Sequence, residues 1–149
     1  MIEYTTPGRV RAAHARIIQE EIGQIGRRWW LGALGLEPGV IDGPVVLSGS
    51  TPLFRGRGIP DPDDLFMAFG DAAFIVDTLE DWARRFTLKW HIRMNGDDWG
   101  AIDPTGLSRP LLDQMEKWAR RAGVGPRDKG AWPVSAERRE VLFRAYPGT

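Results

Sequence analysis

Two runs of the chain carry apolar residues at helical steps and match each other without a gap. In 75–86 these are Ile75, Leu79, Trp82 and Phe86, and in 111–122 they are Leu111, Met115, Trp118 and Ala122, with Trp-Ala-Arg-Arg recurring at an offset of 36 residues. Spacing of three to four residues places each set on one stripe of a helix. Each run shows its acids first and its arginines last, as a helix dipole favours. Asp71 reads as the N-cap of a helix at about 71–86 and Ser108 as that of a helix at about 108–122, with Pro110 in the first turn and Gly123 at the end. A solenoid needs roughly three or more units to bury a continuous core, so two copies predict an ordinary compact domain.

Between the two helices, 89–102 switches to alternation around Asn95-Gly96. That pair suits both central positions of a type I′ turn and predicts a two-residue β-hairpin. The register puts Ile92 opposite Trp99 and Trp90 opposite Ala101 on an apolar face. The other face carries Lys89, His91 and Arg93, with Arg93 opposite Asp98.

Upstream, Thr6-Pro7 followed by Val10, His14, Ile18, Ile22, Ile25 and Trp29 predicts a long amphipathic helix from about 6 to 30. His14 sits on its apolar seam and reads as a packed histidine. Gly23, Gly26 and Gly32 each weaken that pattern by roughly 1 kcal/mol relative to alanine. Residues 35–43 have turn chemistry, 44–48 fit a short strand, and 49–64 form a loop longer than the roughly 12–15 residues usual in compact domains. Residues 65–69 are continuously apolar and read as a central strand; the alternative is one helical region from Pro62 to Phe86 broken at Gly70. Ser135 caps a closing helix that docks through Val141, Leu142 and Tyr146 and turns Glu137 through Arg144 largely outward.

The pattern therefore predicts a single α+β domain over 1–149. It has a long N-terminal helix, a small mainly antiparallel sheet around the 89–102 hairpin, two related helices packed on the sheet and a short C-terminal helix. The first helix covers the sheet's second face or leaves it open for docking.

Composition narrows the chemistry. A chain of 149 residues with 42% hydrophobic and 27% charged residues has the size and balance of one globular domain, burying about two-thirds of its unfolded surface. The absence of cysteine excludes disulfides, thiolate metal sites and cysteine nucleophiles. No run reaches the roughly 18 apolar residues of a membrane span, and Met1-Ile2-Glu3-Tyr4 does not open like a secretion signal, so a cytoplasmic location without membrane partners is expected. Net charge is zero but unevenly spread: 36–81 hold two basic and nine acidic residues, and 82–149 hold thirteen basic and eight acidic. Of the 20 basic residues 17 are arginines, which favour bidentate contacts to carboxylates.

Candidate chemistry is sparse. Arg55 and Arg57 in the glycine-rich loop could hold an anion, although the lysine and hydroxyl of a P-loop are missing. Asp61, Asp63 and Asp64 match no EF-hand spacing and read as turn and cap residues. No serine has the Gly-x-Ser-x-Gly setting, and His14 and His91, 77 positions apart, match no zinc pattern. These features predict a non-enzymatic protein-binding module without cofactor or metal, of the small bacterial inhibitor or immunity type or a phage accessory protein. It would dock on a charged protein partner through Arg55, Arg57, Asp61, Asp63, Lys89, His91 and Arg93, oriented by the segregated charge. The alternatives are a small enzyme using His91 with nearby acids, and an anion or nucleic-acid binder using Arg55, Arg57 and the C-terminal arginines. Zero net charge and tryptophans assigned to the core weigh against nucleic acid.

Overall fold

Ile2 and Tyr4 are buried while Glu3 and Thr5, which alternate with them, are half-buried, as in a strand with one covered face, and pairing along both edges makes this strand, β1 (Ile2–Thr5), an inner one of the sheet. The computed structural model describes residues 1–25, 37–40, 45–54, 61–128 and 130–145. After β1 come α1 (Ala12–Ile25), β2 (Glu37–Val40), β3 (Val45–Thr51), α2 (Pro62–Phe86), β4 (Trp90–Met94), β5 (Asp97–Asp103), β6 (Gly106–Leu107), α3 (Arg109–Arg121) and α4 (Ala136–Ala145). The six strands form one antiparallel sheet in the order β2-β3-β1-β4-β5-β6. This is the α+β class read from the pattern, with different boundaries in its N-terminal half.

Residues 2–5 extend because Thr6 ends the strand instead of capping a helix. Its N–H donates to the Leu47 carbonyl at 2.8 Å, and its hydroxyl accepts from the Leu47 N–H at 2.9 Å. The helix therefore starts only at Ala12. Two further expectations fail. Glu37-Pro38-Gly39-Val40 is an edge strand, where a proline costs no ladder bond on its open side. Residues 65–69 are helical, inside a 25-residue α2 that runs through Gly70 without a break. Its cap is Asp61, whose carboxylate accepts the Asp64 N–H at 2.9 Å, followed by Pro62 in the first turn. Asp71 is buried mid-helix instead.

Gly70 stays in the helix for a tertiary reason. Arg139, 1% exposed, crosses α2 at this point, and a Cβ on Gly70 would lie 2.8 Å from its Cζ and closer still to Nη1. The guanidinium donates to the Met67 carbonyl at 2.6 Å and pairs with the Asp71 carboxylate, whose other oxygen accepts the Phe54 N–H at 2.8 Å. Arg139 thus points inward from a helix predicted to face outward there. Ser135 does cap α4, accepting from the Arg138 N–H at 3.1 Å, but Val141 is 67% exposed while Leu142 packs. Tyr146 and Trp29 lie outside the described residues.

The hairpin keeps its turn and shifts its register. Asn95 (φ 50°) and Gly96 (φ 87°) form the two-residue loop, with Met94 opposite Asp97 and Arg93 opposite Asp98. A bulge then makes Trp99 the extra residue, so Ile92 faces Gly100 and Trp90 faces Ile102. Gly100 has φ 121°, and a Cβ there would come within 3.2 Å of the Leu111 N–H nitrogen. Ser108 helps dock this turn: its hydroxyl accepts the Ala101 N–H at 2.9 Å, which leaves α3 without a side-chain cap bond.

One face of the sheet, carrying Tyr4, Leu47, Trp90 and Ile92, is covered by the helices. There α1 locks onto α2 through Glu21, which takes the Arg85 guanidinium with both oxygens at 2.6 and 2.8 Å, and through His14, stacked on Phe86 at 4.8 Å. The other face carries Glu3, Thr5, Ser48, Ser50, His91 and Arg93, and no described element covers it. Trp82 and Trp90 are buried as predicted, but Trp118, the counterpart of Trp82, is only half-buried.

Candidate functional site

Lys89, His91 and Arg93 are brought together on the open face because β4 alternates, burying Trp90, Ile92 and Met94 beneath the helices. Their cross-strand neighbours are Thr5 and Ala101 beside His91, and Glu3 and Asp98 beside Arg93. Two basic and two acidic groups thus share this surface, and its field is mixed. Arg93 donates to the Gly96 carbonyl at 2.8 Å, while Asp98 accepts the Gly100 N–H at 2.9 Å. Of the remaining predicted residues, the two that are described, Asp61 and Asp63, do not join this patch. Asp61 is spent on the α2 cap, Asp63 pairs with Arg138 at 3.0 Å, and Arg55 and Arg57 lie outside the described residues.

The charge segregation seen along the chain is cancelled in space. Acids of α2 meet arginines of the C-terminal half: Asp63 takes Arg138, Asp71 takes Arg139, Asp77 and Glu80 take Arg127, and Asp81 takes Arg85. Burial pushes the Asp71 and Asp77 carboxyls up, and the attached arginines only partly offset this. Arg127, Arg138 and Arg139 thereby hold α4 and the segment before it onto α2; the Arg127 and Arg139 pairs are largely buried, while the Asp63–Arg138 and Asp81–Arg85 pairs are exposed.

What is left over lies around α3. On the helix side of the hairpin tip an open cleft of about 540 Å³ is bordered by Met94, Asn95, Trp99 and Trp118. The two indoles meet edge to face, ring centres 6.0 Å apart at 84°, and Trp118 meets Phe69 in the same manner at 5.8 Å and 74°. Such edge-to-face contacts add about 0.5–1.5 kcal/mol each beyond area burial. Lys117, Arg120 and Arg121 stand on the rim, all exposed, and none forms an ion pair among the described residues.

No family profile, curated protein or solved structure matches this chain. The reading of the site therefore rests on its geometry. The cleft sets two packed indoles beside three exposed cations without ion-pair partners among the described residues. His91 has no carboxylate as a direct cross-strand neighbour, and His14 is engaged with Phe86. Among the described residues no group of three or more histidines and acids is placed to hold a metal ion, and no helix is long and apolar enough to cross a membrane.

Sequence reasoning missed this cleft for two reasons. The match with Trp82 puts Trp118 on a core stripe, yet α2 is central in the helix layer and α3 borders the cleft. An unbulged register puts Trp99 opposite Ile92, and the bulge removes that pairing. The surplus of aromatics over core needs was the available signal.

Proposed function

We propose that the chain is a non-enzymatic protein-docking module whose contact centre is the Trp99–Trp118 cleft. The observation that carries this is the rim: three exposed cations, Lys117, Arg120 and Arg121, without ion-pair partners among the described residues, around two packed indoles. Tryptophan and arginine are the residues most often found as energetic centres of interfaces. The partner segment would offer one aliphatic or aromatic side chain to the floor and carboxylates to the rim. The β4–β5 hairpin borders the cleft on one side and carries His91 and Arg93 on the other, so a partner clasping its tip would reach both.

The test is affinity purification with quantitative mass spectrometry, comparing the wild-type chain with Lys117→Glu/Arg120→Glu/Arg121→Glu. All three positions are exposed, so the melting temperature stays within a few degrees, and a specific partner should be lost at least tenfold. A partner retained at wild-type level by the charge-reversed chain rejects this surface. Heparin separates the nucleic-acid reading, which requires retention that falls steeply with salt.

A further inference from the structure

A second depression, of about 410 Å³, lies where the segment between β1 and α1 meets the end of α2. Val10 is buried and anchors that segment, and its neighbours Arg9 and Arg11 are exposed and line the cavity with His14. The opposite wall is Arg85 and Phe86. Stacking on Phe86, ring centres 4.8 Å apart and 34° between planes, fixes the plane of the His14 imidazole.

The charges here are not balanced from within. Arg85 is engaged by Glu21 at 2.6 and 2.8 Å and by Asp81 at 3.0 Å, so those two carboxylates are already committed. Among the described residues Arg9 and Arg11 form no ion pair and no carboxylate lines the cavity. Structural needs do not explain them, since α2 carries its own Arg84 and Arg85 in its last turn. Two guanidinium groups without ion-pair partners among the described residues and an imidazole present planar and directional donors to one space, a set suited to a dianionic tetrahedral oxyanion more than to a single carboxylate. The space also falls within the roughly 300–1,000 Å³ of small-ligand sites and exceeds what a bare phosphate fills.

We infer that this cavity binds a small organic phosphomonoester, its phosphate held by Arg9 and Arg11 with His14 as a further donor and its organic part lying along Phe86. The inference is independent of the docking reading, since the two depressions share no lining residue.

The experiment is a two-dimensional amide NMR titration of the full chain with inorganic phosphate, ribose 5-phosphate and acetate at constant ionic strength. Saturable shifts confined to 9–15 and 85–88 are expected with both phosphates, tighter with the sugar phosphate, and absent with acetate. Arg9→Gln/Arg11→Gln, at exposed positions, should weaken binding about tenfold or more with an unchanged melting temperature. The inference is overturned by the absence of saturable shifts, by equal shifts with acetate, or by wild-type affinity in the double variant. Inorganic phosphate binding as tightly as ribose 5-phosphate would overturn the organic part.

Discussion

Arg139→Met should be among the most damaging single substitutions in the chain, because it leaves the Asp71 carboxylate buried with the Phe54 N–H as its one remaining described donor. Removing one partner of a buried pair costs about 3–5 kcal/mol. The Met67 carbonyl also loses its bond to the guanidinium. A loss of about 4 kcal/mol with a urea slope near 2 kcal/mol/M lowers the denaturation midpoint by about 2 M. Asp71→Asn in the same chain should recover at least half of the loss, since a carboxamide still accepts from Phe54 and carries no charge. The pH dependence has a definite sign. Burial pushes the Asp71 carboxyl above its ordinary 3.8, and Arg139 opposes that shift. The group's contribution to stability is therefore present below 3.8 and lost as pH rises through the folded-state value. Without Arg139 the carboxyl rises further, so the deficit of Arg139→Met should shrink as the pH is lowered towards 4. Urea denaturation at neutral and acid pH measures all of this; a loss under about 1 kcal/mol, or a double variant no better than the single, refutes the argument.

Other perturbations separate local from tertiary causes. Gly23→Ala, with nothing within 4 Å of the new Cβ, should stabilise by about 0.5–1 kcal/mol, whereas Gly70→Ala should destabilise, because its Cβ displaces Arg139; thermal unfolding of both checks the contrast. Burial pushes the Tyr4 hydroxyl up to about 12 against its bond to Thr51, so its stabilising contribution is complete below 10 and lost as pH rises through 12. In a Tyr146→Phe chain, ultraviolet titration should therefore show no phenolate near 10, and a normal transition there would contradict the burial. The Arg85 guanidinium holds the Glu21 carboxyl below its ordinary 4.5, so Glu21→Gln should cost under about 1 kcal/mol above that pH and nothing well below it. Comparing melting temperatures at pH 7 and pH 3 tests the sign.

Features set by neighbouring residues were readable in advance. The Asn95-Gly96 turn, the burial alternation of β4, the Pro110 start and Gly123 end of α3, and the Ser135 cap all follow from chemistry within a few positions. Features set by distant partners were hidden. Gly70 looked like a helix stop because the arginine it accommodates is 69 residues away, and Arg139 looked solvent-facing for the same reason. The four residues of β1 are too few for a periodicity argument, and their strand state comes from two partners far along the chain. On the open face of the sheet, the row Lys89, His91 and Arg93 follows from alternation. The Trp99–Trp118 cleft depends on a bulge and on where α3 lies against the sheet, neither of which is written locally.

The position of β1 also bears on how the molecule is made. Its four residues are translated ahead of both flanking strands, one about 45 positions later and the other about 90. Pairings so remote in sequence slow a chain's search for its native topology. On the ribosome β1 must wait, without its second neighbour, until the tip hairpin has cleared the exit tunnel, so the nascent chain that still lacks the hairpin is the stage most in need of protection from aggregation.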